Sequence, residues 1–176
     1  MSWTAPDVSR AVTATVGGER ETLQSWLDFH RLTLLHKCSG LTADQLKLAS
    51  APPSNLTLLG LVRHMADVER WWFRIHSAGL TDLGHLYWNL DGGNGEDDFE
   101  QVAGADAEAD YQAYLNEIKH ADEAVAGVPL EHTFLHRRRG NEMSVRWVYV
   151  HMIEEYARHN GHADLIRERI DGATGD

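Results

Sequence analysis

The chain has 176 residues, 43% of them hydrophobic, and a formal net charge of -11 from 27 acidic and 16 basic side chains. That length holds one domain with a well-buried core, and the apolar share excludes a disordered chain. The acidic balance argues against nucleic acid and an anionic membrane surface as principal partners, and says little about a small-molecule substrate, which meets local rather than global charge.

One cysteine, Cys38, rules out a disulfide framework or a thiolate zinc cluster within one chain and fits a reducing cytoplasm. The first residues lack a basic stretch followed by an apolar run, so no signal peptide is expected. No apolar run approaches the ~20 residues of a membrane span.

Four helical patterns follow in chain order. The first runs from Glu19 to about Cys38, with Leu23, Trp26, Leu27 and Leu34 on one stripe and Gly40 after its end. The second begins near Thr57, after the breaker pair Pro52-Pro53 and the cap candidates Ser54 and Asn55. It carries Leu58, Leu61, Met65, Val68, Trp72 and Ile75 at three- and four-residue spacing. The third spans Asp106 to about Ala126, with Tyr111, Tyr114, Leu115, Ile118 and Val125 inward. The fourth starts on Ser144 as N-cap and continues to about Ile170.

Two connections are long. Leu80 to Gly104 contains the turn-rich run Asp91-Gly92-Gly93-Asn94-Gly95 and the aromatic pair Tyr87-Trp88; Gly127 to Met143 reads as a short extended pair around a turn. The ends, before Val16 and after Gly172, are expected to fray. The expectation is an all-α, antiparallel four-helix bundle with long crossover loops, forming a single domain over residues 1–176 with its core at about 19–170.

The chemistry concentrates on the last helix. Val145, Val148, Met152, Tyr156, Ala163 and Ile166 define its apolar stripe, and Glu155 and His159 fall inside it, one turn apart. His64 falls in the stripe of Leu61, Val68, Trp71 and Ile75 on the second helix. A carboxylate and imidazoles are costly to bury unless something compensates them, and a metal ion is the simplest compensation. A lone inward histidine reads as a hydrogen-bonded core residue; an inward Glu/His pair plus a third inward histidine reads as a ligand set. Three protein ligands leave positions open, the mark of a catalytic site. Zinc is the default ion, and iron, manganese and nickel suit the same ligands.

Other candidates are weaker. His151 and His162 lie at the stripe edge near Arg158, where they either orient the ligand side chains or face solvent, and His30, near the apolar stripe of the first helix, either lines the pocket or packs at the core edge. Arg158 is expected to pair with Glu154 or Glu155, Arg137, Arg138 and Arg139 to face solvent, and Trp71, Trp72, Trp147 and Cys38 to serve packing. A ferritin-like di-iron site is rejected. Its one Glu-x-x-His match on a helix, Glu117 to His120, has the histidine pointing away from the apolar stripe.

The run Leu61-Val-Arg-His64-Met-Ala-Asp-Val-Glu-Arg-Trp-Trp72 resembles the second helix of DinB-like proteins, and Glu155-Tyr-Ala-Arg-His159-Asn-Gly-His-Ala-Asp-Leu-Ile-Arg-Glu168 resembles their last. The common version of that superfamily has histidine at both positions of the final pair. Glu155 in the first position resembles the branch containing mycothiol-dependent maleylpyruvate isomerase, where a His, Glu, His set holds zinc. The resemblance implies a divalent ion on His64, Glu155 and His159 at one end of the bundle, a homodimer, and a low-molecular-weight thiol as cosubstrate. A thiol-dependent transferase or isomerase with a metal-activated thiol is the expected function. A metal-dependent hydrolase and a non-catalytic metal-binding or stress-response module are the alternatives.

Overall fold

The computed structural model describes residues 3–88 and 97–175. The run Asp91 to Gly95 lies outside the described residues. The chain is mostly helical: α1 Glu19–Cys38, α2 Ala43–Leu46, α3 Leu58–Glu69, a π-helical continuation Arg70–Ser77, α4 Asp97–Glu100, α5 Ala107–Val125 and α6 Val145–Asp171. The only strands among the described residues are β1 Thr133–Leu135 and β2 Glu142–Ser144, an antiparallel pair with Phe134 opposite Met143. This is the extended pair expected in the Gly127–Met143 connection.

The helix starts follow capping chemistry. Asp106 and Ser144 accept hydrogen bonds from the N–H groups of Ala109 and Trp147, as their N-cap positions require. At α3 the cap is Thr57, whose hydroxyl accepts from Gly60 N at 2.9 Å, rather than Ser54 or Asn55. Ser54 lies too early and accepts from Leu56 N instead. Gly172 closes α6 at φ 79°, its N–H donating to Glu168 O.

Contacts across the helices set their directions. Arg146 meets Glu19, Tyr149 meets Gln24, Asn160 meets His30 and Asp164 meets Lys37, so α6 runs parallel to α1. Arg63 meets Asp110 and Arg74 meets Glu117, so α3 and its continuation run parallel to α5. His64 faces His159, Glu69 meets Tyr156 and Trp72 meets Trp147, so α3 is antiparallel to α6. Two consecutive parallel helices need a connection that travels back along their length, which accounts for the long Leu80–Gly104 segment.

Helix α3 is the centre of the fold: every residue of it except His64 is buried. Around it lie Leu34 of α1, Tyr114 of α5 and Val148, Met152 and Tyr156 of α6, each wholly buried. Trp26, expected inward, is 42% exposed, because the α1 stripe passes instead through Leu27, Arg31, Leu34, Leu35 and Cys38. Leu115 and Ile118 are half-buried, and Glu117 and Ala121 take the inward positions of α5.

Two buried charges cross this interior. The guanidinium of Arg31 grips Glu69 with two bonds, Nε to Oε1 at 2.7 Å and the second amino nitrogen to Oε2 at 2.8 Å. Tyr156 donates to Glu69 Oε1 at 2.7 Å, and its hydroxyl lies 2.8 Å from that of Tyr114. Arg31 also reaches Asp28 and Asp122. Residues of α1, α3, α5 and α6 thus meet at one polar knot, whose bidentate pairing and hydroxyl donors compensate the desolvation.

The N-terminal segment is pinned, contrary to the fraying expected before Val16. Thr4 bridges to Thr42, Ala5 N donates to Leu41 O at 2.9 Å, and Trp3 sets its edge against Tyr111 at 5.7 Å. The apolar Trp3 and Ala5 find buried ground there, and the φ of 74° at Gly40 turns its N–H onto Ala5 O. Residues 173–175 are exposed.

Candidate metal centre

His64, Glu155 and His159 meet where α3 crosses α6. One ligand atom from each lies within 4.8 Å of the others, a separation that suits a group sharing one ion. His159 Nε2 is 3.4 Å from Glu155 Oε2, and the His64 and His159 rings are 4.7 Å apart. The spacing follows from the helices: positions 155 and 159 stack one turn apart, and the antiparallel crossing brings position 64 opposite.

The three side chains are neither sealed nor fully solvated, at 17%, 20% and 11% exposure for His64, Glu155 and His159. His64 is the only residue of α3 that is not buried, so the opening to solvent is at this site. The hydrogen bond with His159 holds the Glu155 carboxyl below its usual range against the opposing effect of burial; His151 and Arg158 add to the lowering. An ionised carboxylate beside two imidazoles is a donor set for a divalent cation.

Two observations test the fit. His159 turns Nε2 toward Glu155, and its Nδ1 is buried with no hydrogen-bond partner, so this imidazole is not saturated by the fold. His64 Nδ1 lies 2.8 Å from Asp98 Oδ2, which takes up that nitrogen and leaves the other for a ligand. The residues fit an ion.

Sequence reasoning missed what surrounds the cluster. Asp98, from the short α4, also accepts from Trp88 Nε1 at 2.7 Å. Asp67, fully buried one turn beyond His64, accepts from the N–H groups of Leu86, Tyr87 and Trp88 at 2.7, 2.7 and 3.0 Å. Burial pushes its carboxyl up, but His85 and these N–H groups outweigh burial and hold it below its usual range. Asp98 stands in an acidic run of a long loop with no periodicity to mark it; Asp67 was detectable as a charge inside a continuous apolar helix.

The remaining candidates separate. His151 lies at the edge of the cluster, Nε2 3.6 Å from Glu155 Oε1, stacked on Trp147 and edge-on to Trp72; burial lowers its pKa. With Glu154 and Glu155 it forms a second group of metal-capable atoms, but Glu154 is half exposed and already paired with Arg158. His162 borders His159, ring to ring at 5.4 Å, and opens onto an apolar cavity of about 140 Å³ between Leu56, Leu165 and Ile166. Arg158 pairs with Glu154 rather than with Glu155. His30 is not at the site; it packs with Trp26 and Phe29, and its carbonyl accepts from Asn160. Arg137, Arg138 and Arg139 are exposed, as expected, but their turn is held by imidazoles: Arg137 N donates to His76 Nε2, and Arg138 N and Arg139 N to His136 Nδ1. Trp71 and Trp72 are buried packing residues, while Trp147 is 41% exposed. Among the described residues, no helix is long and apolar enough to cross a membrane.

A mostly helical chain that brings two histidines and a glutamate together from two long helices has the features of a DinB-like protein. The family model described as "MST: Mycothiol-S-transferase" matches residues 22–172, and the chain belongs to that family. No curated protein and no solved structure matches the chain.

Proposed function

We propose that this chain is a metal-dependent thiol S-transferase or isomerase whose ion is held by His64, Glu155 and His159. The observation that carries the reading is the convergence of those three side chains, within 4.8 Å, at the one unburied position of the central helix. Zinc is the proposed ion, mycothiol the proposed thiol, and a four-helix bundle in one domain the proposed architecture. The family match supports the thiol.

A divalent ion at such a site lowers the pKa of a thiol or water bound to it, giving a nucleophile at neutral pH. The chain's own residues supply the rest. Glu155 contributes the negative charge that offsets the cation, and partial exposure leaves room for a small molecule to approach. The apolar cavity beside His162 offers lodging for a small hydrophobic part of the substrate. The thiol has to come from outside. Cys38 is 0% exposed, and burial pushes its pKa up to about 12, against the smaller opposing effect of Arg167.

The test is elemental analysis followed by a conjugation assay with mycothiol and a panel of electrophiles. The expected result is stoichiometric metal and strictly thiol-dependent turnover. His159→Ala should lose both while keeping its helical circular-dichroism signal. Turnover without thiol would favour hydrolysis. Equal, substoichiometric metal in wild type and variant would overturn the centre.

A further inference from the structure

The structure assigns Asp98 as the positioning residue of the metal centre, with Trp88 fixing its carboxylate. The inference rests on the proposed metal reading, and it concerns which atom of His64 faces the ion. Asp98 is 1% exposed, and one oxygen, Oδ2, receives both His64 Nδ1 at 2.8 Å and Trp88 Nε1 at 2.7 Å. Its other oxygen accepts from Phe99 N at 3.1 Å. Among the described residues, no lysine or arginine pairs with this carboxylate.

Everything around Asp98 fixes its place. Arg63 Nε donates to its carbonyl at 3.1 Å, and Arg63 is itself paired with Asp110 at 3.0 Å. α4 sits close on α3 because position 60 is glycine: a Cβ there would stand 2.9 Å from the Phe99 ring. Trp88 is held from the other side, its N–H on the fully buried Asp67. The His64 ring lies between Phe99, Trp88 and His159, at centroid distances of 5.1, 5.8 and 4.7 Å.

The consequence is chemical. An acceptor-only carboxylate requires a donor, so the proton of neutral His64 sits on Nδ1, opposite to the preference of free imidazole. The Nε2 lone pair then faces away from Asp98, available to an ion. A carboxylate behind a ligating imidazole also locks its rotation. The indole N–H prevents the carboxylate from swinging toward the ion and becoming a ligand itself.

The first test uses metal-free protein, in which nitrogen-resolved NMR reports the His64 tautomer. Wild type is expected to show Nδ1–H, Asp98→Asn to keep it through the amide oxygen, and Asp98→Ala to revert to Nε2–H. The second measures zinc affinity by chelator competition. Asp98→Ala should weaken it about 10–100-fold, Asp98→Asn by less, and the visible spectrum of the cobalt-substituted protein should shift in both. Trp88→Phe removes only the second donor, and a smaller loss of affinity is expected even if Asp98→Ala fails to fold. Wild-type His64 carrying its proton on Nε2, or zinc affinity equal in wild type and a folded Asp98→Ala, overturns the assignment. Wild type that holds the Nδ1–H tautomer but binds no zinc overturns the metal centre while leaving the Asp98–His64 arrangement intact.

Discussion

Two clusters of polar groups interrupt the same oily interior, and they are built in opposite ways. Around Glu69, both carboxylate oxygens are taken by Arg31, one of them also by Tyr156, and Tyr114 extends the chain of bonds. Around Glu155, the nearest partners are imidazole nitrogens at 3.4 and 3.6 Å, and His159 Nδ1 has no partner. The first cluster is complete and wholly buried; the second is incomplete and touches solvent. On the proposed reading, the difference separates a polar group that serves the fold from one held for a ligand: a carboxylate saturated by its own chain has no coordination left to offer.

The largest test of this contrast removes one partner from the complete cluster. Glu69→Ala takes from the buried Arg31 its bidentate partner, leaving it only the half-exposed Asp28 and Asp122, and denaturant unfolding should show a loss of about 3 kcal/mol. Replacing both members together, Arg31→Met with Glu69→Leu, should recover most of that loss. The incomplete cluster should respond to metal instead. Free zinc at about a hundredfold above its dissociation constant should stabilise wild type by roughly 2.7 kcal/mol and leave His159→Ala unmoved in thermal unfolding. A strong zinc-independent destabilisation by His159→Ala would erase the distinction.

Acid should act on a third set of carboxylates. Burial pushes Asp67 and Glu117 up, but hydrogen bonds, from His85 and the loop N–H groups for Asp67 and from Arg70 and Arg74 for Glu117, hold both below their usual values. Their folded pKa values are depressed, so their stabilisation is complete above the ordinary carboxylate range and is lost as pH falls through the folded values. Urea midpoints measured from pH 7 downward should fall in that window, and Asp67→Asn should flatten the profile. The smallest effect belongs to the cap of α6. Ser144→Ala should cost about 1 kcal/mol while leaving zinc affinity unchanged, because the cap lies turns away from Glu155.

The sequence made the long helices legible because apolar spacing repeats over many turns; α1 spans Glu19 to Cys38 and α6 starts on Ser144, as read from the sequence. His64, Glu155 and His159 were legible because polar side chains inside an apolar stripe stand out, and the folded chain brings them together. The complete cluster was hidden in the same stripes: Arg31 follows Leu27 by four residues and Glu69 follows Met65 by four, yet neither pairing is visible until the helices cross. Asp98 and Trp88 left still less trace, since loop residues carry no period and their roles depend on where a long connection lands. The pinning of Trp3 and Ala5 was missed for a similar reason: terminal residues gain order only from a distant apolar surface.

The hidden position of Cys38 has one more implication. A chain with the proposed transferase activity would work among compounds that alkylate sulfur. With its sole sulfhydryl walled off and protonated, this chain would present no thiolate of its own for them to alkylate.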